Sequence, residues 1–120
     1  MKIIKSFSFA WTGLKICFTS ETNFKIHVLA AVVAVLLGAG LNISAGEWLI
    51  IVLCIAFVTA IEMINTALEK LCDVVNENIH PGIKAVKDIA AGVVLISAIC
   101  SLIIGLIVFI PKIIMYLKSF

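Results

Sequence analysis

Four polar side chains, Glu62, Asn65, Glu69 and Asp73, follow directly on the apolar run Trp48–Ala60. At about 100° per residue, their offsets place all four within a fan of roughly 80° on one face of a helix. The segment is apolar enough for a bilayer, where an ionised carboxylate is costly and acidic residues mark function by default. Three acids on one stripe need a cation to share. That points to metal-assisted chemistry or ion handling at a membrane surface.

Phosphoryl transfer needs a divalent cation on the phosphate oxygens, a lysine-like cation on the transferring group, and a residue orienting the nucleophile. Magnesium is held by one or two carboxylates together with phosphate oxygens and water. Glu21 and Glu69 have the chemistry for that role, and Lys87 for a phosphate contact. Glu62 sits deepest in the apolar segment, where a poorly solvated carboxylate is a stronger base, suited to a hydroxyl. The chain has no G-x-x-x-x-G-K-[ST] and no G-x-G-x-x-G, so any nucleotide is expected on this interfacial cluster itself. On spacing alone, lipid phosphorylation, ion translocation and a structural polar seam between helices all remain open.

The elements that must position these groups are membrane helices. The 120 residues are 63% hydrophobic and 13% charged, with a mean hydropathy of +1.26, far from soluble-domain averages. One all-α integral membrane domain is expected, with spans over 26–43, 48–71 and 89–110. The turn LNISAGEW, with Ser44 as a possible N-cap and Gly46, joins the first two. A polar loop over 73–88, broken at Pro81-Gly82, joins the last two. Over 2–20, Ile3, Ile4, Phe7, Trp11, Leu14 and Phe18 recur at steps of three and four opposite Lys2, Lys5, Thr12 and Lys15. That is a basic amphipathic helix, expected in the headgroup plane. The start MKIIKSFSFAWTGLK has no long apolar core or small-residue cleavage site, so no signal peptide is expected.

Lysines 2, 5, 15, 25, 70, 84 and 87 flank the first span and the 73–88 loop, while the 42–47 turn has none. The positive-inside rule therefore puts the N-terminus and that loop in the cytoplasm, with Lys112 and Lys118 as exceptions. Glu21, Glu62, Asn65, Glu69, Asp73, Lys87 and Asp88 then gather at one cytoplasmic interface. A net charge of +2 without arginine argues against nucleic acid.

The motif E-x-x-N-T-A-x-E-x-x-x-D, present from Glu62 to Asp73, resembles the signature of the prokaryotic diacylglycerol kinase family. K-D-I-A-A-G-V-V-L, Lys87 to Leu95, is similar to its second block, and S-F-x-x-A-W-x-G-L-K, Ser6 to Lys15, to its surface helix. The resemblance covers nearly the whole chain. It implies a homotrimer of three-span subunits, each with a surface helix, in the bacterial inner membrane. It also implies transfer of the ATP γ-phosphate to a lipid hydroxyl, with Mg2+ as cofactor. By the family pattern Glu62 matches the general base, and Glu21 and Glu69 the magnesium ligands. Asn65 and Lys87 match residues near the γ-phosphate; Asp73 and Asp88 match polar residues around the nucleotide. Phe9 stands where some members place a tyrosine near the nucleotide, so that phenolic hydrogen bond is missing. One branch of the family acts on diacylglycerol, another on undecaprenol. Asn23–His27 and Ile79-His80-Pro81 look more like the undecaprenol branch. Diacylglycerol is the alternative acceptor, and a proton- or ion-coupled transporter the alternative of another class.

Plainer readings accompany several of these residues. Asp73 and Asp88 could cap helices, Glu77 and Lys84 read as solvated loop charges, and His80 as a turn residue. Trp11 and Trp48 read as interfacial anchors. Cys17, Cys54, Cys72 and Cys100 lack metal or redox spacing and read as small apolar filler.

Overall fold

The computed structural model describes residues 1–76, 78 and 80–120. Four helices carry the described chain: α1 (Lys2–Ser20), α2 (Thr22–Leu41), α3 (Ala45–Val75) and α4 (Pro81–Lys118). The last three are long and apolar enough to cross a membrane. Large apolar side chains such as Leu29, Leu36, Leu53, Leu95 and Ile107 are exposed. In hydrocarbon that is their solvated state, and the backbone polar groups are satisfied inside each helix.

Each helix boundary has a local cause. Asn42 ends α2 in the left-handed region at φ 58°, ψ 51°, a conformation asparagine tolerates, and its N–H donates to Gly38 O. Ser44 then caps α3: its Oγ accepts from Glu47 N–H at 3.2 Å, and Glu47 Oε1 accepts from Ser44 N–H at 2.9 Å. The turn is shorter than expected, because helix resumes at Ala45 and Gly46 lies in the first turn of α3. Glu21 alone separates α1 from α2, in extended backbone, with its N–H donating to Cys17 O.

The connection expected over 73–88 is also shorter. Helix α3 continues to Val75, and α4 begins at Pro81. Proline is favoured in the first turn of a helix, where its missing N–H costs nothing. His80 caps that turn, Nδ1 accepting from Gly82 N–H at 3.0 Å. Pro81-Gly82 therefore starts a helix rather than breaking one. Glu77 and Ile79 lie outside the described residues. At the other end α4 runs past 110, through Pro111, to Lys118. Ile113, just beyond the proline, still packs on the apolar core.

Helices α3 and α4 are antiparallel. Glu47 and Lys112 approach to 3.3 Å at one end of the pair, and Asp73 and Lys87 to 2.6 Å at the other. The apolar core of Ile43, Ile51, Val108 and Phe109, with Trp48 against it, lies at the Glu47 end. Trp48 also covers Gly38, where a side chain would collide with the indole. Toward the other end the enclosed residues include Glu62, Thr66 and Ser97. Helix α1 buries only Cys17 and leaves Ile3, Ile4, Phe7 and Trp11 exposed. Lys15 lies over Trp11, and Lys25 of α2 over Phe18.

Candidate active site

The α3 stripe is graded by depth. Glu62 is 3% exposed, Asn65 and Glu69 are half-buried, and Asp73 is exposed. At 1.5 Å per residue Glu62 lies about 21 Å along α3 from Trp48, and Asp73 about 16 Å farther. A hydrocarbon layer of about 30 Å entered at Trp48 ends near Leu68. By that estimate Glu62 sits about 9 Å inside it and Asp73 outside.

Neighbouring helices supply the partners. His27 of α2 brings Nδ1 to 2.7 Å from Glu62 Oε1, and neither atom has another partner among the described residues. The approach is an ion-pair distance rather than an aligned hydrogen bond. Thr66 Oγ1 donates to Glu62 O at 3.0 Å, a back-bond that satisfies the buried hydroxyl within its own helix. Asn65 Nδ2 donates to Glu69 Oε1 at 3.2 Å, holding two members of the stripe together. Lys87 of α4 reaches Asp73 at 2.6 Å, with the lysine side chain 39% exposed. Asp88 instead pairs with Lys84, one turn back on its own helix, at 2.6 Å.

The remaining candidates stand apart. Glu21 is half-buried at the α1–α2 corner, and its carboxylate makes no ion pair or hydrogen bond among the described residues. Phe9 is 73% exposed on α1. His27 is the residue that sequence reasoning missed. Its partner is 35 positions away on another helix, and no periodicity within either helix encodes that approach.

Among the described residues no three His, Cys, Asp or Glu side chains form a cage for a metal. Magnesium does not need one, since phosphate oxygens and water complete its shell. Besides His27 Nδ1 and Glu62 Oε1, one further enclosed atom lacks a hydrogen-bond partner among the described residues: Asn65 Oδ1. An orphaned carbonyl oxygen beside the Glu69 carboxylate is the hard-donor chemistry that magnesium, or a hydroxyl or ammonium donor, would satisfy. The residues present fit the ion.

Residues 8–109 match the family model described as prokaryotic diacylglycerol kinase. The chain belongs to the prokaryotic diacylglycerol kinase family. It is therefore an ATP-dependent lipid kinase, a phosphotransferase with an alcohol acceptor, and a multi-pass membrane protein. An undecaprenol kinase of Bacillus subtilis is 40% identical over 92% of this chain and 90% of its own length. A diacylglycerol kinase of Synechocystis is 35% identical over 86% of this chain, which spans 59% of that relative. The diacylglycerol kinase of Escherichia coli K12 is 26% identical over 85% of this chain and 84% of its own length.

Proposed function

We propose that this kinase transfers the γ-phosphate of ATP directly to the hydroxyl of undecaprenol, with Glu62 as the general base. The observation that carries the reading is the depth of Glu62: a carboxylate 3% exposed, below the polar rim formed by Asn65, Glu69 and Asp73. A base for a soluble alcohol would gain nothing from that depth. A base for a hydroxyl anchored to a long apolar chain belongs there. A shallow apolar groove of about 510 Å³ on α2 and α3, lined by Val35, Val52, Ile55, Thr59 and Met63, reaches the residue that follows Glu62 in sequence and suits such a chain.

Each residue then has a task. Glu62 accepts the proton of the lipid hydroxyl as its oxygen attacks the γ-phosphorus. Lys87 neutralises charge on the transferring phosphoryl group, leaving Asp73 to hold the amine in place beforehand. Asn65 orients Glu69 through its amide. Glu69, with Asn65 Oδ1 beside it, would hold magnesium, with Glu21 at the α1–α2 corner as the second carboxylate of the family pattern; the ion would supply positive charge to the phosphate oxygens when bound. Asp73, Asp88 and the ring of Phe9 border the nucleotide.

The surface placement of α1, the cytoplasmic side and the homotrimer belong to the same proposal. Exposed Ile3, Ile4, Phe7 and Trp11 with nearby lysines support a helix lying in the headgroups. The lysines around α1 and the start of α4 support a cytoplasmic site, where ATP is found, in the bacterial inner membrane. Sharing the site between subunits supplies walls that three spans cannot provide alone. Family membership supports this kinase over the transporter reading.

The acceptor rests on the similarity to the Bacillus subtilis undecaprenol kinase. It is tested by offering undecaprenol and diacylglycerol at equal mole fraction in the same micelles, with labelled ATP and magnesium. Undecaprenyl phosphate is the expected main product, by about tenfold or more in kcat/KM, a transition-state difference of ~1.4 kcal/mol. Preferential formation of phosphatidic acid would assign the chain to the diacylglycerol branch.

A further inference from the structure

The two oxygens of the Glu62 carboxylate have different surroundings. Oε1 is enclosed and lies 2.7 Å from the enclosed Nδ1 of His27. Oε2 is not among the enclosed unpartnered atoms, and no donor among the described residues reaches it. One oxygen lies against His27, and the other has no protein donor among the described residues. The packing of α2 fixes this arrangement. Phe24, three residues before His27 and on the same face, is 3% exposed and sets the rotation of the helix about its axis. His27 itself keeps a quarter of its side chain exposed.

We propose that His27 is a positioning residue for the transfer: its Nδ1, already 2.7 Å from Glu62 Oε1, comes into line to donate N–H to that oxygen when substrate binds, so that Oε2 faces the lipid hydroxyl. The inference rests on the kinase reading of Glu62 given above. In the step it serves, the hydroxyl O–H bond breaks and its proton passes to Oε2. The lipid oxygen–phosphorus bond forms, the bond from the γ-phosphorus to the bridging oxygen breaks, and ADP leaves with that electron pair. An imidazole suits the task better than lysine or arginine. Its flat ring can fix the carboxylate plane through one N–H, where a long flexible amine could not. Nδ1 must carry a proton for this contact.

The test compares wild type with His27→Ala, His27→Asn and His27→Gln in mixed micelles, at saturating lipid and varied MgATP. The asparagine amide nitrogen falls near the place of Nδ1, whereas the glutamine amide reaches toward Nε2. Expected for His27→Ala is a fall in kcat of about 10- to 100-fold, as for a misplaced catalytic group. Its KM for MgATP should stay within about twofold of wild type. His27→Asn should recover at least about a third of the wild-type kcat, and His27→Gln should not. If His27→Ala fails to assemble, the asparagine–glutamine comparison decides. Wild-type kcat in His27→Ala, a KM that rises with no loss of kcat, or equal activity of the asparagine and glutamine variants would overturn the inference. An inactive wild type would instead overturn the kinase reading on which it rests.

Discussion

Gly38→Ala sets a methyl group against the indole of Trp48. A Cβ at this position would lie 2.8 Å from Trp48 Cη2, 3.0 Å from Ile43 Cδ1 and 3.1 Å from Trp48 Cζ2. Carbon atoms rest at about 3.5–4.0 Å, so the indole, the more rigid of the two side chains, must move. Overpacking of this kind costs about 1–3 kcal/mol, while alanine gains about 0.8–1.0 kcal/mol over glycine in a helix. The two terms separate in a double-mutant cycle. Trp48→Phe removes both Cζ2 and Cη2, leaving only the terminal methyl of Ile43, which can rotate away. Gly38→Ala should therefore destabilise the protein when Trp48 is present and stabilise it in the Trp48→Phe background, an interaction of about 1–3 kcal/mol. Unfolding in detergent, followed by helical circular dichroism, measures all four corners. The turn lies about 21 Å along α3 from Glu62, so kcat should stay within twofold below the unfolding temperature. Effects that add within about 0.5 kcal/mol would refute the contact, and a large loss of kcat would refute the independence of the two ends.

Ser44→Ala removes the hydroxyl that accepts from Glu47 N–H, while the backbone N–H that donates to Glu47 Oε1 remains; stability should fall by about 0.5–2 kcal/mol in the same unfolding assay, leaving activity intact. Lys87→Met should lower kcat at least tenfold and raise the KM for MgATP, whereas Lys84→Met, at an exposed pair with Asp88, should leave both within twofold. Chelation of divalent ions should abolish lipid phosphorylation, and added magnesium should restore it without refolding.

Much of this architecture is legible in the sequence because it is periodic or covalently close. Apolar runs of span length are visible without a partner, and so is the single face shared by Glu62, Asn65, Glu69 and Asp73. Ser44, three residues before Glu47, advertises its capping box. Pro81-Gly82 reads from sequence as a breaker for a physical reason: proline ends a helix from inside but also begins one from N1, and His80 folding back on Gly82 N–H decides for the second. Pro111 sits within a helix that its apolar continuation and the Lys112–Glu47 pair carry forward. The His27–Glu62 contact depends on the relative rotation and register of two helices, which packing sets and sequence spacing does not. The same holds for Lys87, whose partner Asp73 lies across the α3–α4 connection.

The role of Glu62 is tested most directly by lipid phosphorylation with Glu62→Gln beside wild type, in the same micelles and at saturating MgATP and undecaprenol. Glutamine keeps the size of the side chain and an oxygen that can accept from His27, so assembly and ATP binding should be preserved. Loss of the base should lower kcat by about 10²–10⁴. A correctly assembled Glu62→Gln protein that retains more than about a tenth of the wild-type kcat, well above that range, would contradict the assignment of the proton acceptor.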